Sequence, residues 1–154
     1  MAHIHEKIDF TADIFIVYKN KVLLRMHDKY HVWLTPGGHI ELNEDPTEAA
    51  LREVKEEVGL DVTLWSGHSN PIASDERVRS LTPPVYMNRH AVSPTHEHVS
   101  MVYFATSETD QVKPSEGEQQ DGWKWFTKEE FQTADIPKNI KDYGLLALEQ
   151  LGEN

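Results

Sequence analysis

The 154-residue sequence predicts an α/β fold, a mixed β-sheet between helices. Strand-like runs rich in Ile, Val and Phe recur along the chain. One strongly marked helix interrupts them, and a weaker helical pattern follows near the end. The length suits one domain, residues 1–154, large enough to bury a core.

Taken in order, DFTADIFIVY (9–18) is apolar on both sides, as expected of a central strand covered on both faces. Lys19, Asn20 and Lys21 then turn the chain into VLLRM, its hairpin partner. LTPGGHIEL (34–42) sets a Pro-Gly-Gly break between strand-like flanks. A helix follows, with Asp45 as N-cap, Pro46 in the first position and Glu48 at the capping-box position. Gly59 supplies its stop. Ala50, Val54 and Val58 form an apolar stripe with Leu51 beside it, so this side is expected to pack on the sheet. LDVTLW (60–65) and HVSMVYFAT (98–106) read as further strands, the second apolar on both faces. GWKWF (122–126) is a short strand, and TKEEF opens a helix. Ile140, Tyr143, Ala147 and Leu151 recur at helical spacing around an interior Gly144. Segments 66–97 and 107–121 read as long irregular loops, a length usually tied to function or mobility.

Composition narrows the function. A formal net charge of −11 argues against a general nucleic-acid binder, because phosphate contacts need a basic face. Divalent cations placed between two anions still permit an acidic protein to hold a polyphosphate. Cysteine is absent, which removes disulfides, thiolate metal sites and cysteine nucleophiles. No apolar run approaches the roughly 20 residues of a membrane span. The N-terminus lacks a signal-peptide apolar region, so a cytoplasmic location is expected.

The segment REVKEEVG (52–59) carries the chemistry. Glu53, Glu56 and Glu57 crowd the last two turns of the helix, with Arg52 and Lys55 as the nearby cations. Each adjacent like-charge pair costs roughly 0.2–0.5 kcal/mol, and the negative pole of the helix adds a similar penalty per acid. A solvated acidic face is the plain alternative. A divalent cation reverses the penalty, since hard oxygen ligands on one rigid face suit Mg2+, with Mn2+ as a substitute. Upstream, Gly37 and Gly38 permit close backbone approach to a ligand, and Glu41 and Glu44 add carboxylates near the helix start.

Residues 38–60 resemble the Nudix box, G-x5-E-x7-R-E-U-x-E-E-x-G-U, with U a bulky apolar residue. Gly38, Glu44, Arg52, Glu53, Val54, Glu56, Glu57, Gly59 and Leu60 fill every specified position. The resemblance implies a Nudix-type α/β/α sandwich and a metal-dependent hydrolase of nucleoside diphosphate derivatives. It implies Mg2+ held by Glu53, Glu56 and Glu57, helped by a backbone carbonyl near Gly37 or Gly38. Arg52 would orient the glutamates and Glu44 would brace the loop–helix junction. Gly37, Gly38, Glu41 and Glu44 are the expected substrate-facing residues. In some members the general base lies in the box and in others on a distal loop, where Glu118 is the candidate beside Glu116 and Asp121.

Subclass markers are missing. No proline stands about 15 residues beyond the box, since Pro71 is too early and Pro83 too late. Glu76, Arg77 and Val78 occupy the place of the diadenosine polyphosphate tyrosine. Nucleoside triphosphates are the first expected substrates, then sugar nucleotides or dinucleotides. A homodimer is left open. The competing reading is an inactive nucleotide-binding sensor, whose usual mark, an eroded box, is not found. His90, His96 and His98 are expected as partly exposed imidazoles with ordinary hydrogen bonds, a second metal site being the alternative. Trp33, Trp65, Trp123 and Trp125 are expected mainly as packing residues.

Overall fold

β1 (Ile8–Tyr18) runs through the middle of the molecule and is apolar on both faces, so layers form on both sides of it. The computed structural model describes residues 6–27, 29–67, 74–118 and 122–153. β2 (Lys21–His27) returns antiparallel from a tight turn at Lys19 and Asn20, followed by β3 (Val32–Leu34) and β4 (Gly37–His39). Helix α1 (Pro46–Val58) comes next, then β5 (Val62–Leu64), β6 (Tyr86–Ser93) and β7 (His96–Ser107). β8 (Trp123–Thr127), α2 (Lys128–Thr133) and α3 (Lys138–Leu151) complete the described elements.

The strands join one mixed sheet in the order β3-β2-β1-β7-β5. β1 and β7 pair in parallel from Ile8↔Glu97 to Val17↔Thr106, and the other pairings are antiparallel. β4 pairs with the first half of β1, β6 with the first half of β7, and β8 with β2. The two-residue side-chain period of β1 and β7 then sorts the core. Ala12, Ile14, Ile16, Tyr103 and Ala105 meet Ala49, Ala50, Val54 and Val58 of α1. Phe15, Val17, Val102 and Phe104 meet Phe131, Ile140 and Ala147 on the other face. The result is a sheet with α1 on one side and α2 and α3 on the other, as the sequence predicts. Gly144 is required by packing, because a Cβ there would lie 2.6 Å from the Phe131 ring.

Three expectations need correction. β6 lies inside the segment read as irregular. Its side chains are almost all exposed, so pairing with β7 holds it rather than a buried face that would leave a sequence pattern. Leu51 is 43% exposed and does not extend the α1 stripe. The buried arc instead turns the other way, through Ala49 and Glu53. Of the three loop histidines, His96 departs from the partly exposed side chain expected, being 8% exposed, while His98 is half-buried and His90 exposed. Trp33 and Trp65 pack on the core aromatics Phe126 and Phe104, as expected, and Trp123 is left on the surface. Among the described residues, no helix is long and apolar enough to cross a membrane. Pro71 and Asp121 lie outside the described residues.

Candidate active site

Local chemistry fixes where α1 starts and stops. The Asp45 carboxylate accepts from the backbone N–H of Thr47 (2.8 Å) and Glu48 (2.9 Å), and Glu48 accepts in return from Asp45 N–H (2.9 Å). The last turn closes on Gly59 in a left-handed conformation. Glu53 and Glu57 are thereby set in register on the side of α1 that faces β4, with Glu56 at its exposed margin.

Their environments differ. Glu53 is 6% exposed and lies over Gly38, where a Cβ would come within 2.4 Å of Glu53 Oε1. A side chain at residue 38 would push that carboxylate out of its place. The Glu57 side chain is 7% exposed, whereas that of Glu56 is 45% exposed. Arg52 organises the group with all five of its N–H donors. Nε and Nη2 grip Glu44 at 2.9 and 2.6 Å, and Nη1 reaches Glu53 (2.9 Å) and Glu56 (3.3 Å). Nη2 also donates to the His39 carbonyl (3.0 Å), tying α1 to β4. Glu41 is 4.0 Å from the same guanidinium, half-exposed, and its N–H donates to Glu44. The Arg52 hydrogen bonds hold the Glu44 carboxyl below its ordinary range.

Burial pushes the Glu57 carboxyl up to about 8, and the nearby Glu53 charge adds to it; Arg25 and the Gly37 N–H oppose the rise. Glu53 is raised for the same first reason, burial. Arg25 Nε stands 2.9 Å from Glu57 Oε2 but out of line for a hydrogen bond, so that buried oxygen keeps a lone pair without a donor. Crowded carboxylates, an unsatisfied buried oxygen and a glycine cradle fit a hard divalent cation. Glu53, Glu56 and Glu57 are the residues that would hold such an ion, with the backbone at Gly37 and Gly38 beside them.

A family model for the NUDIX domain matches residues 8–147. This chain belongs to the NUDIX family. Hydrolases of this family generally use divalent metals, and the chain spans less than two thirds of the length of the curated relatives it matches. A NUDIX-family hydrolase from Clostridium perfringens is 40% identical, with TM-score 0.81 over 93% of this chain and 97% of that one. The Xenopus laevis m7GpppN-mRNA hydrolase NUDT17 is 51% identical over 67 residues, 35% of this chain and 23% of that protein. The Proteus vulgaris 8-oxo-dGTP diphosphatase is 39% identical over 62 residues, 38% of this chain and 55% of that protein.

The structure brings the box residues Glu44, Arg52, Glu53 and Glu56 together and leaves Glu118 and Lys55 apart from them. Glu118 sits on a loop that docks on the end of α1 through Ser115 N–H to the Glu56 carbonyl (2.9 Å). Among the described residues, no hydrogen bond or ion pair joins its carboxylate to the box. Lys55 pairs with Asp61 rather than with the box acids. The cation on Glu57 is Arg25, which sequence reasoning missed. Its signal was available: Arg25 shares a strand face with the buried Leu23, so a charge inside an apolar strand demanded a partner. Volume does not locate the site: a cavity of about 1030 Å3 lies between the β1–β2 turn and α2 and α3, lined by Asn20, Thr127 and Leu145.

Proposed function

We propose that the chain is a Mg2+-dependent pyrophosphohydrolase that splits a diphosphate linkage in a nucleoside diphosphate derivative, working as one catalytic domain. The supporting observation is the buried Glu53–Glu57 pair, crowded against Gly38 and clamped by Arg52 and Arg25. Glu53, Glu56 and Glu57 would hold the divalent ion, which when bound would supply Lewis acidity toward water and charge neutralisation toward phosphate oxygens. In the reaction class, a water oxygen forms a new bond to phosphorus as the phosphoanhydride P–O bond breaks and a proton is released. Arg52 keeps Glu53 and Glu56 on one side of α1, so the carboxylates need no rearrangement when substrate arrives. Glu44 holds Arg52, and the Gly37 N–H holds Glu57. We place the general base among the box acids rather than at Glu118, since among the described residues no hydrogen bond or ion pair links the Glu118 carboxylate to the cluster.

Nucleoside triphosphates come first as substrates, then dinucleotides and sugar nucleotides. A product-resolved screen of these three classes with Mg2+, with and without chelator, tests the reading. Chelator abolishes turnover, and Glu56→Gln, Glu57→Gln and Glu53→Gln each lower kcat, by roughly 10²–10⁴-fold where the base is lost. Glu118→Gln keeps most of the rate. Turnover that survives chelator, or that survives all three box substitutions, defeats the metal mechanism. A tenfold or greater loss confined to Glu118→Gln moves the base to the loop.

A further inference from the structure

The sheet face turned away from α1 changes character along β1. Phe15 and Val17 are covered by α2 and α3, but on the same face toward the strand start stand Asp9, Thr11 and Asp13. β7 repeats the change, from Val102 and Phe104 back to Ser100, His98 and His96. Pairing brings the polar parts together: Asp9 is opposite His98, and Thr11 is opposite His39. This cluster lies outside the box helix and none of its side chains enters the proposed hydrolysis.

Its geometry is tight. Asp9 is 1% exposed, and its Oδ2 lies 3.3 Å from His39 Nε2 and 3.1 Å from His96 Nε2. One donor atom from each of Asp9, His39 and His98 falls within 4.8 Å of the others. The His98 ring stands edge-on to those of His39 (5.0 Å, 83°) and His96 (5.3 Å, 89°). The His98 Nε2 is buried and has no hydrogen-bond partner among the described residues. Two histidines and a carboxylate from three different strands thus converge, and one ring nitrogen is left unused.

We propose that Asp9, His39 and His98 bind one divalent transition-metal ion of the Zn2+ class, at a site separate from the box glutamates. The donor chemistry separates the two sites. Imidazole with one carboxylate suits Zn2+ and its first-row neighbours, whereas an all-carboxylate set suits Mg2+. Metal–ligand bonds of about 2.0–2.2 Å place neighbouring donors about 3.4 Å apart, so modest ring rotations close the observed triangle. His96 remains on Asp9 as an outer partner that holds the carboxylate in place. The ion would cross-link β1, β4 and β7, and it would reach the box through His39, whose carbonyl is bonded to Arg52.

The test is Zn2+ titration calorimetry in excess Mg2+, on full-length chain in which His3, His5 and His68, outside the described residues, are replaced by Ala. Cobalt(II) substituted for Zn2+ supplies a visible spectrum that reports ligand geometry. The expected result is one Zn2+ per chain. Because loss of an outer-shell partner alone costs about 10–100-fold in affinity, His98→Ala or His39→Asn is expected to lower it by at least about 100-fold. Melting in chelator checks that each variant is folded. Zn2+ bound equally well by parent, His98→Ala and His39→Asn overturns the proposal. So does Zn2+ that excess Mg2+ displaces, since that ion would be sitting on the box.

Discussion

Glu57 concentrates the strain of the site in one carboxyl group. Its ordinary value of 4.5 is pushed up to about 8, first by burial and then by Glu53. Between those two pH values the folded chain keeps a proton that the unfolded chain has released, so stability falls as pH rises through that window. Gln imitates the protonated acid. In chelator, Glu57→Gln is therefore expected to match the parent near pH 5 and to become the more stable chain as pH rises through 8. Urea unfolding at several pH values measures the difference, and a gap that does not change with pH refutes the assignment. Glu53 and Glu57 were legible as acids at helical spacing. Their burial was not, because it depends on Gly38 and Arg25, which approach from strands remote in sequence.

The element that matters most is α1, and its ends are written locally. Asp45 holds two backbone N–H groups at the start, and Arg79 reaches it from a distant loop at 2.7 Å. Asp45→Ala is expected to cost about 1 kcal/mol, read from denaturant midpoints at unchanged slope. Activity should fall little in the folded fraction, since Arg52 still anchors the box to Glu44 and to the His39 carbonyl. Capping residues, proline and a terminal glycine act within a few positions of themselves, which is why the helix could be bounded from sequence. β6 was missed for the opposite reason. An edge strand with exposed side chains is stabilised by backbone pairing to β7, and that leaves little trace in residue type.

At the scale of the whole molecule, α1 and the sheet share one core, so a cation on the box should stabilise the entire fold. Binding to the folded state alone adds about 2.7 kcal/mol at one hundred times Kd. For a domain of this size that is roughly 5–10 °C in Tm. Differential scanning of the parent with Mg2+ and with chelator should show it, and Glu53→Gln with Glu57→Gln together should remove it. An unchanged Tm in the parent would leave the acids a purely structural role with no cation on the box.

The sequence by itself determined what depends on near neighbours: the box spacing, the caps of α1, the two-faced character of β1 and β7, and hence the layered architecture. Tertiary structure alone decided which long-range partners meet. Strand pairing brings Gly38 under Glu53, Arg25 onto Glu57, and Asp9 beside His39 and His98. Helical and strand periods are properties of the backbone and repeat every few residues. Contacts between strands depend on register, which is set by how the apolar faces of the entire sheet fit their helices.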